Sequence, residues 1–400
     1  KKGAINMGDI LALDGNAAIA YGVMKSKVEL IAAYPITPQT PVVENLSSLI
    51  DRGEFDCGYI NVESEHSALS ALIGASATGV RTFTASASHG LALMHEVTGV
   101  ASGSRLPIVM GVVSRALPSP CSLWCDHSDI MSERDQGWIQ LFAKNPQEAL
   151  DFIMIAYTVS EDERVLTPTM VDIDGFYVSH LTEPVNVPTD DEAGKFIGKF
   201  EPNNLILDVN NPYAINNLSS PEIFTEYKYS QKLGMDAALE VIEERFEKFN
   251  EVFGRKYSLV ESYNTEDAET VIVCLGSMSG TVLHTVNELR KLGKKVGLVR
   301  VVSFRPFPKK ALAAALKGIN NVAVIDRISA VGSMGPLYEE VLSCMHQTDE
   351  GKKNVFSFVA GLGGRDINEK TVKSVFEYVD NANETGEKPT DTIWIDLKKE

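Results

Sequence analysis

Glu65 stands in NVESEHSALSALIGASATG, residues 61–79, where Ser and Ala lead into a run of small and apolar residues. Such a run suits a tightly packed helix, and a carboxylate entering it would be poorly solvated. Desolvation raises the pKa of a carboxyl group, and a carboxyl titrating near neutrality can trade a proton with a ring nitrogen. Taken alone, the segment more often holds a first-turn acid that faces water and favours the helix dipole. Thr37 lies in YPITPQT, residues 34–40, between two prolines that restrict the backbone on both sides. A hydroxyl on so stiff a loop suits a ligand contact, and an ordinary turn with a solvent-facing Thr is the alternative. Arg115 follows the apolar run IVMGVVS directly. There it is placed to clamp a carboxylate through two parallel hydrogen bonds, against the commoner surface ion pair. Asp126, His127 and Asp129 sit in CDHSD, residues 125–129. This loop could bind metal or shuttle protons, but such residues more often cap a helix, and SERDQGWIQLF behind it reads as helical. We expect loop architecture at the edge of a site, without a metal.

These residues need a scaffold. VELIAAYPI (28–36), RTFTASAS (81–88), LPIVMGVVS (106–114) and TPTMVDIDG (167–175) read as buried strands. Gly15 to Met24, Ser67 to Thr78 and Leu91 to Ser102 read as helices between them. Continuous apolar strands separated by helices imply a parallel sheet covered on both faces. In such sheets ligands collect at the carboxyl ends of the strands, where YPITPQT and Arg115 fall. A second alternation runs from ETVIVCLGS near residue 268 to NEKTVKSVFEYV. The expectation is an α/β protein of two doubly wound domains. Between them lie an acidic TDDEAGKF stretch, an Asn-rich NNLILDVNNPYAINN and a charged helix from about Lys232 to Phe253, read as a linker excursion and a bridging helix. Boundaries of 1–235, 236–260 and 261–400 follow. Gly276-x-x-x-Gly280 lacks the full dinucleotide fingerprint.

Composition narrows the function classes. A net charge of −17 argues against nucleic-acid and anionic-membrane binding and fits a small-molecule enzyme or a subunit of an assembly. No stretch is apolar over the ~18 residues that a membrane helix needs, and KKGAINMGDI has no signal-peptide core, so a cytoplasmic protein is expected. The five scattered cysteines form no disulfide framework. Cys121 and Cys125 make a lone C-x3-C with no second pair, read as packing or loop thiols, so any redox centre must sit on another chain. No Ser-His-Asp elbow, Walker loop or HExxH motif occurs. The G-D-G…N motif through which most thiamine enzymes hold magnesium pyrophosphate is also missing.

AAYPITPQTPVVENL, VESEHSALSALIGASATGVRTFTASASHGLALMHE and SRALPSPCSLWCDHSDIMSERDQGWIQLFAKNPQEALD resemble the alpha subunits of pyruvate:ferredoxin oxidoreductases, in the 2-oxoacid:ferredoxin oxidoreductase family. The likeness covers nearly the whole chain. It implies a pyrimidine-binding (PYR-type) domain followed by a transketolase C-terminal-like domain. By the same resemblance Glu65 would hydrogen-bond the aminopyrimidine of thiamine diphosphate and drive its shift to the imino tautomer, Thr37 would contact substrate, and Arg115 would hold the substrate carboxylate. The implied activity is oxidative decarboxylation of pyruvate with coenzyme A to acetyl-CoA, carbon dioxide and reduced ferredoxin. A beta subunit would supply pyrophosphate binding, Mg2+ and a proximal [4Fe-4S] cluster. A gamma subunit and a ferredoxin-like delta subunit would complete a complex in which alpha alone is inactive. Gln39 and Thr40 stand where relatives often have Ser, and Cys125 where Gly is common, which bears on pocket shape and leaves the 2-oxo acid open. One Arg with no partner for a second carboxylate favours pyruvate over 2-oxoglutarate. The alternatives are the pyrimidine-binding subunit of another 2-oxoacid oxidoreductase or of a lipoamide-linked dehydrogenase, and a catalytically silent scaffold.

Overall fold

A computed structural model describes residues 8–202, 207–212, 214–347, 353–386 and 389–398. The first four residues of the Asn-rich stretch, its Tyr213 and the amino-terminal KKGAINM lie outside them. After β1 (Asp9–Leu13) the chain runs α1 (Gly15–Lys25), β2 (Leu30–Ala33), α2 (Thr40–Asp51), β3 (Gly58–Asn61), α3 (Glu65–Ser76), β4 (Thr82–Ser86), α4 (Ser88–Gly103), β5 (Val109–Ser114), α5 (Ser128–Ser132), β6 (Ile139–Ala143), α6 (Pro146–Ser160) and β7 (Thr169–Asp174). Strands β6, β7, β5, β4, β2 and β3 pair in that order, all parallel. Apolar residues of α1 and α6 pack on one face with Phe83, Val109 and Val113, and those of α3 and α4 on the other with Met110 and Val112. The strand order reverses between β2 and β4, so the loops after these two strands diverge and leave a crevice between them.

The chain then forms β8 (Glu183–Val187), antiparallel to β1, and α7 (Asp190–Ile197), followed by α8 (Pro221–Phe253). The acidic TDDEAGKF stretch is helical because Thr189 and Glu192 close a capping box. Helix α8 begins eleven residues before Lys232, at a Pro in the first turn, and stops at Gly254 with φ +70°.

The second unit comprises β9 (Val260–Tyr263), β10 (Thr270–Cys274), α9 (Met278–Lys291), β11 (Val296–Val301), β12 (Ser303–Arg305), α10 (Lys309–Ala315), β13 (Asn321–Asp326), α11 (Pro336–Gln347), β14 (Asn354–Val359), α12 (Glu369–Thr385) and β15 (Ile393–Trp394). Its sheet order is β15-β14-β13-β10-β11-β9, parallel except for β9. The protein is thus an α/β molecule with two doubly wound sheets.

The two sheets are stitched together. β12 leaves its own domain and adds antiparallel to β6 on the edge of the first sheet. One apolar cluster runs across the junction, from Met110, Ile130 and Phe142 to Val271, Val299 and Phe304. Beside it the fully buried Arg300 forks onto Glu148 of α6 and also reaches Glu261 at 2.9 Å. The structure corrects one local reading: SERDQGWIQLF is not a helix. α5 ends at Ser132, Gly137 takes φ +79°, and Ile139 to Ala143 form strand β6. Turn residues from Glu133 to Gly137 separate the short helix from the strand, whose side chains alternate between the two cores. No helix among the described residues is long and apolar enough to cross a membrane.

Candidate active site

The buried residues of α3 are Glu65, Ala68, Leu69, Leu72 and Ser76. This spacing is one face of a helix, so Glu65 heads the inward stripe. Ser64 caps the helix by accepting the Ser67 N–H, which fixes the helix start one residue before Glu65. The neighbouring acid Glu63 is exposed and accepts from the Ser67 hydroxyl at 2.7 Å, whereas Glu65 is only 5% exposed. Among the described residues no hydrogen bond or ion pair reaches the Glu65 carboxyl. With no described partner of its own, the carboxyl is open to a group supplied from outside the chain. Room for it comes from Gly90 in α4: a β-carbon there would stand 2.3 Å from Glu65 Oε1.

Thr37 follows β2 with its side chain exposed, in a loop whose Thr37–Pro38 peptide is cis. Arg115 follows β5 and is 4% exposed. Its Nη1 donates to the Thr37 carbonyl at 2.9 Å and its Nε to the Ser122 carbonyl at 3.1 Å. Thr37 and Arg115 are therefore brought together, through the backbone of one. The guanidinium is also partly spent: two of its five N–H groups go to backbone carbonyls, and Nη2, with a long contact of 3.8 Å to Cys121 Sγ, is the nitrogen without a close partner among the described residues. That is a narrower grip than a two-nitrogen clamp. The largely exposed rim from Pro118 to Trp124, with Ser122 half-buried, lies alongside.

Asp129, fully buried, accepts the Ser88 N–H at 2.7 Å, the Arg115 N–H at 3.0 Å and the Ile130 N–H at 2.8 Å. It ties the end of β5 to the turn that opens α4. Burial pushes its carboxyl up to about 7, against those three donors, which favour the charged form.

The other two residues of CDHSD face elsewhere. Asp126 accepts from the Ser128 backbone at 3.0 Å and from the Gly363 N–H of the second domain at 3.4 Å. His127 sits 2.7 Å from Asp174, at the end of β7, and its N–H donates to the Arg327 carbonyl at 2.9 Å. Asp174 also meets the Arg327 guanidinium at 3.1 Å and accepts the Ser277 N–H at 2.9 Å. Burial opposes charge on both members of the His127–Asp174 pair. The mutual attraction outweighs it, raising the His127 pKa and, with Arg327, holding the Asp174 carboxyl well below the usual range. Cys125, His127 and Asp174 bring potential ligand atoms within 4.8 Å of one another. Arg327 Nη1, however, lies 3.6 Å from Cys125 Sγ, and burial with the Asp174 charge keeps that thiol protonated. A fixed guanidinium already supplies the positive charge a metal would bring. The cluster is a clasp between domains, and Asp126 and His127 belong to it.

Sequence reasoning passed over Asp172, Asp174, Ser86, Gly90 and Arg327. The acids did carry a signal: TMVDID ends a buried strand on two carboxylates, and strand ends are where such sheets place function. Asp172 is buried beside the Ser114 hydroxyl, and burial pushes its pKa well up.

Residues 21–247 match the family described as pyruvate flavodoxin/ferredoxin oxidoreductase, thiamine diP-binding, and residues 268–372 match the pyruvate:ferredoxin oxidoreductase core domain II. Pyruvate synthase subunit PorA of Methanocaldococcus jannaschii is 44% identical over 396 residues, covering 98% of this chain and 99% of the relative. Ketoisovalerate oxidoreductase subunit VorA of Pyrococcus horikoshii is 41% identical over 389 residues, 97% of this chain and 98% of the relative. Among solved structures, a 2-oxoglutarate:ferredoxin oxidoreductase from Magnetococcus marinus superposes with a TM-score of 0.72 at 20% identity, covering 93% of this chain and 66% of that one; this is a likeness of fold. With both domains matched in order and the full length shared with its relatives, the chain belongs to the pyruvate flavodoxin/ferredoxin oxidoreductase family, whose amino-terminal domain binds thiamine diphosphate.

Proposed function

We propose that this chain is the alpha subunit of a pyruvate:ferredoxin oxidoreductase, and that it contributes Glu65, Thr37 and Arg115 to an active site shared with a partner chain. The observation that carries the reading is the carboxyl of a largely buried residue, without a partner among the described residues, at the switch point of a parallel sheet, in a chain of a thiamine-diphosphate-binding family. When bound, thiamine diphosphate supplies the electron sink for decarboxylation of a 2-oxo acid. Glu65 would hold or release a proton at the ring nitrogen of its pyrimidine, and no partner among the described residues competes for the carboxyl. Arg115 Nη2 grips the substrate carboxylate, while Nε and Nη1 keep the loops of Thr37 and Ser122 in place. The Thr37 hydroxyl, exposed beside it, contacts the substrate. Residues 1–235 serve as the pyrimidine-binding domain, 236–260 as the bridge and 261–400 as the transketolase C-terminal-like domain.

The chain has no G-D-G…N motif and no cysteine spacing for an iron–sulfur cluster. A beta-type partner therefore holds the pyrophosphate and Mg2+, and clusters on partner subunits, including gamma and ferredoxin-like delta chains, pass electrons to ferredoxin. Coenzyme A takes the acetyl group. A single guanidinium arm at the site favours a monocarboxylate such as pyruvate. The relatives' names span pyruvate and ketoisovalerate, so the test compares substrates. The complex co-purified with its partners is assayed with thiamine diphosphate, Mg2+, coenzyme A and a viologen dye against pyruvate, 2-oxoisovalerate and 2-oxoglutarate. Pyruvate is expected to give the highest kcat/KM. Turnover with lipoamide alone as acceptor would overturn the assignment.

A further inference from the structure

Strand β4 carries a stripe of hydroxyls. Thr82, Thr84 and Ser86 alternate along it, so they share one face. All three are fully buried, and the side-chain oxygen of each has no hydrogen-bond partner among the described residues. Buried hydroxyls without partners are rare and call for an explanation. For Ser86, the last of the three, the explanation lies next door. A β-carbon placed on Gly90 would stand 2.3 Å from Glu65 Oε1 and 2.9 Å from Ser86 Oγ. The glycine thus leaves open one small volume that the carboxyl and the hydroxyl border from two sides. Neither group has a hydrogen-bond partner among the described residues.

We infer that Ser86 is a positioning residue for Glu65, its hydroxyl closing onto the carboxyl across the space above Gly90 when cofactor is bound. This rests on the role proposed for Glu65 and deepens it. A carboxyl that trades a proton must be held in both of its states. An ionised carboxylate is acceptor-only, whereas a protonated one donates; a hydroxyl can rotate to donate to the first or accept from the second. A lysine or a backbone N–H in its place would serve the charged state alone. The small side chain also leaves Glu65 free to reach a ring nitrogen on its other oxygen.

The test uses the assembled complex loaded with thiamine diphosphate and Mg2+, and reads the near-ultraviolet circular dichroism band of the bound iminopyrimidine against pH, besides turnover. A carboxylate deprived of a donor holds its proton more tightly. Ser86→Ala is therefore expected to move the pH midpoint of the band upward by about one unit, with cofactor affinity changed less than threefold. Ser86→Thr, which restores a hydroxyl, is expected to return the midpoint to the wild-type position; a purely packing role would not separate Ala from Thr in this way. Should the Ala complex fail to assemble, Ser86→Cys keeps the volume with a weak donor and must show the displacement. An unmoved midpoint in the variant that assembles overturns the role of Ser86. The reading beneath it is separate: if Glu65→Gln abolishes the band while the Ser86 variants leave it in place, only Ser86 falls, whereas a normal band in Glu65→Gln removes both.

Discussion

Gly90 and Glu65 fit together so closely that no side chain at position 90 leaves the carboxyl where it is, since a β-carbon would come within 2.3 Å of Oε1. The clashing atoms are side-chain ends, Glu65 Oε1 and Cδ and, at 2.9 Å, Ser86 Oγ, and Gly90 lies in the first turn of α4 without a positive φ. Gly90→Ala should therefore push the carboxyl aside without unfolding the protein. Alanine gains up to ~1 kcal/mol of helix propensity, so the melting temperature is expected to hold or rise while turnover falls at least tenfold. A variant with full activity would mean that the carboxyl position has no catalytic consequence.

Arg115 carries two tasks on one fork. Lysine retains the charge but not the planar geometry that holds the Thr37 and Ser122 carbonyls while presenting a third nitrogen. Arg115→Lys is expected to raise the KM for pyruvate by ~10–100-fold, the value of one charge-assisted hydrogen bond. Isothermal titration should show thiamine diphosphate affinity changed far less. Equal losses in both would place Arg115 outside the substrate site.

Asp129 is a brace. Its carboxylate satisfies three backbone donors, and an amide would turn its NH2 toward one of them. Asp129→Asn should cost about 2–3 kcal/mol in denaturant unfolding and weaken substrate binding through the released Arg115 backbone.

The clasp of His127 and Asp174 makes docking of the two domains depend on pH. The raised pKa of His127 gives stabilisation that is complete below the unfolded value of about 6.5 and is lost as pH rises through the folded value. The depressed pKa of Asp174 gives stabilisation that is present above about 3.9 and is lost in acid. The pair therefore contributes most between roughly pH 4 and 6.5. In thermal unfolding, the deficit of His127→Gln against wild type should be large at pH 6 and shrink by pH 9. A deficit independent of pH would show that His127 acts as a neutral hydrogen-bond partner.

Much of this architecture is legible in the sequence, and the exceptions have physical causes. The buried strands and the helix carrying Glu65 follow from local hydrophobic period. Even the inward direction of Glu65 can be read from its register with Ala68, Leu69 and Leu72. Ile139 to Ala143 is too short to distinguish strand from helix by period, and its pairing with β7 and β12, strands that lie later in the chain, decides it. β12 has three residues and pairs with a strand more than 160 positions upstream, so no local pattern announces it. His127 could not be assigned from CDHSD because its partners, Asp174 and Arg327, arrive from two different sheets. Arg115 was placed at the correct strand end, but the carbonyls that consume two of its nitrogens belong to loops whose conformations the sequence does not display.

The most direct measurement is Glu65→Gln in the complex assembled with its partner subunits. The amide keeps size and shape but cannot exchange a proton. Loss of one positioned proton-transfer group typically lowers turnover by ~10²–10⁴. The expected result is a fall of that order in kcat, with the iminopyrimidine band gone and the complex intact by size exclusion. Wild-type turnover and an unchanged band would contradict the assignment of Glu65 to the cofactor's pyrimidine.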